Sequence, residues 1–381
     1  MKICAIICEY NPFHNGHLYQ MQLAKELSGA DAILCLMSGY FVQRGEAAVV
    51  DKYTRAKHAV LAGADAVIEL PTVFATGNAE LFAKGAISIL SKIPNVTTLC
   101  FGAEQANKDI FIKTATLLNN EPEDVSKTIK TLTSQGVSFA KARAQAFEKY
   151  VPVRFLSSPN NILGIEYTRA ILDLDCAIDI LPIQRNGSGY SETKLSNSFA
   201  SATAIRQTLN DKTRISPYLP AYVLNDLPSV LDDKLDALEK YAILSRHKEE
   251  LATICDCTEG LENAFKKAAL SQNTLESELT SARYTASRIR RIALHNLLGI
   301  SHTFIKTCLK TPLYLRVLGI KKQQMAMLSL LSNSSLPILI RSHDEDVLNE
   351  TQRACFERDI FAEQVYSLLY PIPIKKDIFI D

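Results

Sequence analysis

Two histidines near the amino terminus, His14 and His17, have the residue type and spacing best suited to chemistry. Their i, i+3 spacing at the entry of a helix can bring both imidazoles to one side. Gly16 has no side chain, so a nucleobase or ribose can approach the backbone there. Unpaired N–H groups at a helix N-terminus attract anions. The segment predicts a triphosphate site in which both imidazoles stabilise the charge that builds on the α-phosphate during attack.

A second phosphate-binding element is predicted in the segment 201–206. Ser201 and Thr203 can cap the helix that begins there and offer hydroxyls to an anion. Arg206 has the fork geometry to bind the β- and γ-phosphates. A plain helix cap with a surface arginine is the alternative, but the presence of the first motif favours a phosphate role.

Other phosphate-binding motifs are missing from the sequence. It contains neither G-x-x-x-x-G-K-[ST] nor a G-x-G-x-x-G that follows a strand. The segment Gly187-Ser188-Gly189 lacks the third glycine, and we interpret it as a flexible loop.

Buried strands alternating with helices must position these residues. Continuous apolar runs predict strands at Ile3–Cys8, Ala32–Met37, Ala66–Leu70, Thr98–Phe101 and Ala177–Ile183. Helical patterns lie at Gly16–Leu27, Lys52–Leu61, Asn78–Leu90, Asn161–Leu174 and Ala202–Leu209. This alternation predicts an α/β fold with a Rossmann-like parallel sheet. Ligands of such sheets bind beyond the carboxyl ends of the strands, where His14 falls.

The alternation stops after residues 216–220, and the remainder is predicted to be mainly helical. Helices are expected at Pro228–Ser245, Leu261–Ser271, Ser287–Leu298 and Gln323–Leu331, with a short strand at Pro337–Ile340 and a Pro-rich tail at Tyr370–Asp381. We therefore expect a catalytic domain at 1–220 and a mainly helical C-terminal domain at 221–381.

Composition favours a folded cytoplasmic protein without a membrane span. The sequence has no apolar run of membrane-spanning length and no signal peptide at its start. Its nine cysteines, an odd number, lie mostly in strand-like runs, which is typical of buried free thiols. Cys255 and Cys257 lack a second Cys/His pair nearby, so no metal site is predicted.

The net charge is only +1, yet one long segment is strongly basic. Between Glu278 and Asp344 there is no carboxylate, while ten basic residues occur: Arg283, Arg288, Arg290, Arg291, Lys306, Lys310, Arg316, Lys321, Lys322 and Arg341. Arg288, Arg291 and His295 recur at helical spacing opposite an apolar stripe. A solvated face is the ordinary interpretation, but the missing acids favour contact with an RNA backbone.

Three other residues remain open between two interpretations. Arg44 is an equal candidate for phosphate or RNA contact and for an ordinary surface loop. Glu9 is either a general base or a polar strand end. Lys52 is either a catalytic lysine or the start of a helix.

Longer blocks resemble one family of the HxGH nucleotidyltransferase superfamily, the bacterial tRNA(Met) cytidine acetate ligases. They are EYNPFHNGH at 9–17, MSGYFVQRGE at 37–46, DKYTRA at 51–56, FGAE at 101–104, SPNNILG at 158–164 and RYTASRIRR at 283–291. One position departs from the family pattern, since asparagine is expected where Tyr40 stands.

The resemblance implies an activity and a set of site residues. Acetate and ATP, together with Mg²⁺ and without acetyl-CoA, would give acetyl-adenylate, and the acetyl group would pass to N4 of the wobble cytidine of elongator tRNA(Met). The implied catalytic residues are His14 and His17, and Arg283, Arg288, Arg290 and Arg291 are expected to contact tRNA. The implied ATP contacts, besides Ser201, Thr203 and Arg206, are Ile7, Cys8, Glu9, Tyr10, Asn11, Pro12, Phe13, His14, Asn15, Gly16, His17, Leu18, Tyr19, Gln20, Gly102, Asn160, Asn161 and Arg185.

Two other functions stay open at this point. One is an adenylyltransferase acting on a small phosphorylated cofactor, which would have no need of the basic segment. The other is a non-catalytic RNA-binding protein, against which the intact His14, His17 and Arg206 speak.

Overall fold

The central strands are apolar on both faces, and this makes them the buried core of a sheet covered by helices. The computed structural model describes residues 1–185, 199–228, 234–341, 343–370, 376 and 378–381. Its strands are β1 (Ile3–Cys8), β2 (Ala32–Ser38), β3 (Phe41–Val42), β4 (Glu46–Ala47), β5 (Ala66–Leu70), β6 (Val96–Ala103), β7 (Asp179–Gln184), β8 (Leu315–Lys321), β9 (Ile338–Leu339) and β10 (Phe379–Ile380). Every residue of β1, β2 and β5 is buried.

Helices connect and cover these strands. In the first half they are α1 (Asn15–Ser28), α2 (Lys52–Leu61), α3 (Thr72–Ala75), α4 (Ala79–Leu90), α5 (Lys108–Asn119), α6 (Glu123–Ser134), α7 (Phe139–Ala146), α8 (Val153–Ser157), α9 (Pro159–Asp173) and α10 (Ala202–Gln207). In the second half they are α11 (Lys212–Ile215), α12 (Ala221–Asp226), α13 (Lys234–Ser245), α14 (Lys248–Leu251), α15 (Leu261–Ala268), α16 (Leu275–Leu279), α17 (Ala286–Leu298), α18 (His302–Lys310), α19 (Met325–Ser332) and α20 (Glu350–Leu369).

The strand order places a ligand crevice at β1. The main sheet runs β10-β8-β5-β2-β1-β6-β7, and β9 pairs with β8. From β1 the chain crosses to β2 and β5 on one side, and later to β6 and β7 on the other, always in parallel. The strand order therefore reverses between β1 and β6, which is where open α/β sheets bind ligands. The predicted Rossmann-like fold is confirmed.

The sheet is not confined to the first 220 residues, and it is not wholly parallel. Strand β8 lies antiparallel to β5, and β10 extends the same edge. Strand β8 was not predicted, because Arg316 and Gly319 interrupt its apolar run. The division into domains at residue 220 stays a prediction, while β8 and β10 place part of the later segment in the sheet of the earlier one.

A buried arginine joins the carboxyl ends of β1 and β2. Arg55 of α2 is fully buried, and its guanidinium donates to the carbonyl oxygens of Glu9, Ser38, Gly39 and Val50. These carbonyl dipoles take the place of water around the charge. The contacts fix the backbone of both strand ends at the crevice.

A buried ionic cluster attaches β8 to the earlier strands. The Nζ atom of Lys52 lies 2.7 Å from both carboxylate oxygens of Glu69, and Nη1 of Arg316 lies 3.3 Å from Oε2 of Glu69. Nη2 of Arg316 also lies 3.5 Å from Oε2 of Glu363 on α20. Desolvation, with the nearby Arg316, lowers the pKa of Lys52 to about 8. Because Glu69 serves two buried cations, it is the centre of this cluster.

Replacing Glu69 by glutamine should strongly destabilise the fold. Glu69→Gln leaves Lys52 and Arg316 buried without their shared carboxylate, and breaking such a pair costs about 3–5 kcal/mol. Urea unfolding at neutral pH measures the change. Glu80→Gln is the matched control, since Glu80 forms an exposed i, i+4 pair with Lys84 and such pairs contribute at most about 1 kcal/mol. Similar losses in both variants would contradict the assigned role of Glu69.

The loop predicted at Gly187-Ser188-Gly189 lies outside the described residues. Among the residues that the structure describes, no helix is long and apolar enough to span a membrane.

Candidate active site

An open cavity lies at the carboxyl ends of β1 and β6, where the strand order reverses. Its empty volume, including the open mouth, is about 1020 Å³. The predicted site residues that line it are Ile7, Cys8, Glu9, Tyr10, Asn11, His14, His17, Gln20, Gly102, Asn160, Arg185, Ser201, Thr203 and Arg206.

The two histidines stack on each other at the start of α1. Their ring centroids lie 3.7 Å apart with an interplanar angle of 21°. Nδ1 of His14 accepts from the backbone N–H of Gly16 at 3.1 Å, and Nδ1 of His17 accepts from the N–H of His14 at 3.3 Å. A ring nitrogen that accepts carries no proton, so each neutral imidazole has its proton on Nε2. The helix cap thus leaves two Nε2–H donors for a ligand.

Both imidazoles are neutral at physiological pH. Desolvation, with smaller effects from Arg185 and Arg206, lowers the pKa of His14 to about 3. Desolvation, followed by His14 and Arg185, holds the pKa of His17 well below its usual 6.5. The histidines are therefore neutral groups that can offer hydrogen-bond donors, not permanent cations.

Gly16 is required for the position of the His14 ring. A Cβ atom at residue 16 would lie 2.9 Å from Cε1 of His14, closer than side chains normally approach. A side chain there would displace the imidazole from the cap. Gly16 therefore leaves room for the His14 ring as well as for a ligand.

Three guanidinium groups give the cavity an anion-binding character. Arg44 donates to Oγ1 of Thr203 at 3.3 Å, which joins the β3–β4 hairpin to α10. Arg206 donates to the carbonyl of Asn11 at 2.8 Å and pairs with Glu46 at 3.3 Å. Arg185, directly after β7, also lines the cavity. Arg44 therefore lines the cavity, and its contact with phosphate or RNA stays a prediction.

Glu9 contributes the one carboxylate among the described residues that line this cavity. Its Oε1 accepts from the backbone N–H of Gln43 at 2.9 Å. Desolvation raises the pKa of Glu9, although this N–H, Arg206 and Arg44 act in the opposite direction. The side chain therefore braces the hairpin against β1 and brings a carboxyl group close to the arginines.

The remaining predicted ATP contacts lie elsewhere. Gly16 and Tyr19 line a smaller adjoining cavity. Pro12, Phe13, Asn15, Leu18 and Asn161 line neither of the two cavities. Phe13 is fully buried, and Asn15 donates to the carbonyl of Pro217. The amide oxygen of Asn161 accepts from the backbone of Glu104, whose carboxylate in turn accepts from the first N–H groups of α9.

Several residues that line the cavity were not predicted as site residues: Gln43, Phe82, Phe101, Leu163, Tyr167 and Ala202. A usable signal existed on α9, where Asn160, Leu163 and Tyr167 recur at i, i+3, i+7 and therefore share one face. Phe82 lies on α4, and its approach to this face depends on tertiary packing.

The basic segment is less uniform in space than in sequence. Arg283 pairs with Glu259 at 2.9 Å, and its side chain is 64% exposed. The guanidinium of Arg288 lies 5.2 Å from the ring centroid of Tyr284. An acid from outside the segment therefore neutralises Arg283, which stays on the surface. Arg288 is half-buried and donates to the carbonyl of Asp256 and to Oγ1 of Thr258, both at 3.1 Å.

The other predicted members of this face have internal partners or lie inside the protein. Arg290 pairs with Glu46 at 3.2 Å and Glu276 at 2.6 Å. Arg291 is half-buried, and among the described residues its Nε has no hydrogen-bond partner. His295 is buried, with Nε2 3.0 Å from Oγ1 of Thr76, so the prediction of a solvated His295 was wrong. Helical spacing alone could not reveal that α17 packs inward at that turn.

Gly45 allows α17 to pack closely against the β3–β4 hairpin. Its φ of +74° is in the left-handed region, and a Cβ there would lie 2.6 Å from the backbone of Arg290 and Arg291. Arg290 also donates to the carbonyl of Arg44 at 3.0 Å. The hairpin that carries Arg44 therefore rests directly on the basic helix.

Tyr40, where the sequence departs from the family pattern, lies in the core. Its ring centroid lies 4.8 Å from that of Tyr366, at an interplanar angle of 38°, and 4.7 Å from Nζ of Lys52. Neither Tyr40 nor Lys52 lines the cavity, and the ion pair with Glu69 gives Lys52 a structural role.

Cys255 and Cys257 are buried free thiols, and burial raises the pKa of each to about 12. In the described part of the chain, no group of three or more His, Cys, Asp or Glu is arranged to hold a metal ion.

This fold and site define a class of enzyme. The family model for HIGH nucleotidyl transferases matches residues 1–378, so the chain belongs to that class.

Similar proteins define the family within that class. A Thermoanaerobacter protein named tRNA(Met) cytidine acetate ligase is 39% identical over 97% of this chain and 96% of its own length. A protein of the same name from Clostridium perfringens is 35% identical over 100% of this chain and 98% of its own length. The chain belongs to the tRNA(Met) cytidine acetate ligase family, and the resemblance seen in the sequence is confirmed.

Solved structures agree with this assignment. The chain superposes on Thermotoga maritima TmcAL in its apo form with a TM-score of 0.89 at 31% identity, covering 98% of this chain and 96% of that one. It also superposes on the same protein bound with alpha-thio ATP, with a TM-score of 0.89 at 28% identity over the full length of both chains.

The buried His295 should make stability depend on pH. Desolvation, with the nearby Arg291, lowers its pKa to about 3, so below pH ~6.5 the unfolded chain binds a proton that the folded protein does not. The free energy of unfolding should therefore fall as the pH decreases through this window. His295→Gln keeps a donor for Thr76 and removes this proton uptake. The slope of the unfolding free energy against pH should therefore fall by up to about 1.4 kcal/mol per pH unit, the value for one proton.

Urea unfolding between about pH 7 and pH 5 measures that slope. His302→Gln is the control, because His302 is exposed and its replacement should leave the slope unchanged. Equal slopes for wild type and His295→Gln would contradict the assigned proton uptake.

Proposed function

We propose that the protein forms acetyl-adenylate from acetate and ATP and transfers the acetyl group to N4 of the wobble cytidine of elongator tRNA(Met). The observation that carries the proposal is a match to enzymes of this name over nearly the whole chain, with stacked His14 and His17 in the cavity at the strand-order reversal. Mg²⁺ would accompany ATP and neutralise part of the triphosphate charge, and the proposal gives acetyl-CoA no part.

The first step activates a poor electrophile. A carboxylate oxygen of acetate attacks the α-phosphorus of ATP, the bond to the β-phosphate breaks, and pyrophosphate leaves. The Nε2–H groups of His14 and His17 stabilise the charge that develops on the α-phosphate oxygens. Arg206, with Arg44 and Thr203 beside it, binds the departing pyrophosphate.

The second step consumes the mixed anhydride. The N4 amine of cytidine attacks the acetyl carbon, the bond to AMP breaks so that AMP leaves, and the amine releases one proton to water. No serine or cysteine nucleophile is needed because the amine attacks the anhydride directly. Cys8 is not suited to be a nucleophile either. The thiolate is the reactive form of cysteine, and burial raises the pKa of the Cys8 thiol well above the usual range.

Removal of either imidazole should strongly slow adenylate formation. His14→Asn keeps a side chain that can cap α1, and His17→Ala removes the second donor. Each variant should lose about 10²–10³-fold in acetate-dependent exchange of pyrophosphate into ATP, while tRNA binding survives. Exchange and tRNA binding by filter retention are measured for both.

His302→Ala is the matched control, since His302 is exposed on α18 and its loss should leave exchange unchanged. Wild-type rates in both His14→Asn and His17→Ala would contradict the assigned catalytic role.

Arg283 and Arg288 are proposed to contact the tRNA backbone. Exposed Arg283 and half-buried Arg288 flank Tyr284, with guanidinium-to-ring distances of 5.6 and 5.2 Å. The double variant Arg283→Ala/Arg288→Ala should bind tRNA more weakly. The slope of log K against log[salt] should also become shallower, by about one for each phosphate that the protein no longer neutralises. Exchange without tRNA should be unchanged.

Lys2→Ala/Lys92→Ala removes two charges from the opposite edge of the sheet and serves as the control, because Lys2 and Lys92 are exposed beside the amino ends of β1 and β6. Equal tRNA affinity in both double variants would contradict the assignment of Arg283 and Arg288 as tRNA contacts.

Arg290 and Arg291 remain proposed contacts. Substitution of Arg290 would also disturb the hairpin that carries Arg44, so Arg290 is a poor single probe.

The same assays separate the other functions. Radiolabelled acetate that enters tRNA with ATP but without acetyl-CoA supports the proposal. Pyrophosphate release without label in RNA points to an adenylyltransferase for a small phosphorylated cofactor. Absence of turnover with intact RNA affinity points to a non-catalytic RNA-binding protein.

A further inference from the structure

One wall of the cavity is apolar, and the phosphate chemistry of the histidines and arginines does not use it. Phe82, Phe101, Leu163 and Tyr167, here called the acyl wall, line this side together. The ring of Tyr167 lies 6.4 Å from that of Phe82 and 5.8 Å from that of Phe101. Phe82, Phe101 and Tyr167 are nearly fully buried, while Leu163 is half-buried. The wall is therefore a formed surface rather than a set of mobile side chains.

A second, smaller cavity has the lining that a nucleotide base would need. The smaller adjoining cavity is lined by Tyr19 and Phe199, whose rings lie 5.5 Å apart, and by Gln184 and Gly16. Aromatic faces with a nearby amide suit a purine. Tyr19 and Phe199 do not line the main cavity, and the acyl wall does not line the smaller one.

The histidines stand between these two regions. His14 and His17 line both cavities, together with Arg185 and Gly102. An α-phosphate bound to the two imidazoles would have adenosine in the smaller cavity and pyrophosphate beside Arg206. The acyl wall is then the remaining side from which a carboxylate could approach the phosphorus.

The wall is held rigidly from behind. Phe101 packs against Gly164, where a Cβ atom would lie 2.4 Å from the ring, and meets Phe111 edge-to-face at 5.2 Å. A rigid apolar surface can reject an additional methylene, which is worth about 10–200-fold in specificity.

We propose that the acyl wall binds the methyl group of acetate and limits the length of the acyl chain that the protein activates. The assignment rests on the proposed function, since it requires a carboxylate substrate. Leu163 is the residue that sets the limit, because it lies one helical turn before Tyr167 and is the smallest and most exposed member of the wall.

Acyl-chain preference tests the assignment directly. Pyrophosphate exchange is measured with acetate, propionate and butyrate for wild type, Leu163→Ala and Leu163→Phe. Leu163→Ala should raise the ratio of kcat/KM for propionate over acetate by about tenfold or more. Leu163→Phe should raise the KM for acetate by a similar factor while the Kd for ATP, measured by calorimetry, stays unchanged.

Ile162→Ala is the matched control, since it removes a similar side chain from the adjacent position of α9 and does not line the cavity. Its preference should equal that of wild type. An unchanged acyl ratio in Leu163→Ala, or a weakened Kd for ATP in Leu163→Phe, would overturn the assignment, the latter because it would place the nucleotide on this wall. If the alanine variant loses all exchange, Leu163→Val makes the same comparison with one methylene removed.

Different results would refute the proposed function and the acyl wall. Wild-type protein that exchanges pyrophosphate with no carboxylate refutes the proposed function and the acyl wall together. Wild-type exchange with acetate, combined with unchanged preference in the Leu163 variants, refutes the acyl wall alone.

Discussion

The guanidinium of Arg55 holds the ends of β1 and β2 in place by binding the carbonyl oxygens of Glu9, Ser38, Gly39 and Val50. A fully buried cation is costly unless polar groups replace its water. Here those groups belong to the two segments that lead into the cavity. The same hydrogen bonds therefore stabilise the charge of Arg55 and hold the strand ends at the site in position. The side chain of Glu9 continues the arrangement by accepting from Gln43 in the hairpin.

Glu69 connects the later part of the chain to this frame. It lies on β5, receives Lys52 from α2 and Arg316 from β8, and lies in a fully buried environment. Tyr314 and the N–H of Thr72 both donate to Asp359 of α20 at the same side of the sheet, at 2.6 and 2.7 Å. Polar groups therefore connect α20 and β8 to the nucleotide-binding sheet. Such buried networks demand specific geometry because any unpaired member is expensive.

The hairpin at 41–47 is shared by the cavity and the basic helix. Glu46 accepts from Arg206 on the cavity side and pairs with Arg290 on the helix side, while Gly45 permits the close approach of α17. Adenylate formation and RNA contact are thereby proposed to occur on adjacent surfaces. A reactive anhydride benefits from such proximity, since the acceptor amine can reach it before water does.

The sequence by itself determined the buried strands, the helix that begins at the histidine motif and the class of chemistry. These depend on local patterns: apolar runs, the i, i+3 spacing of His14 and His17, and the need for glycine at residue 16. Only the tertiary structure decided which charged residues are internal. Arg316 interrupts an apolar run and yet lies in the sheet because Glu69, from a distant part of the chain, supplies its counter-ion. The acid-free segment likewise finds its acids at Glu46, Glu259 and Glu276. Electrostatic pairing acts through space, whereas periodicity reports only neighbours along the chain.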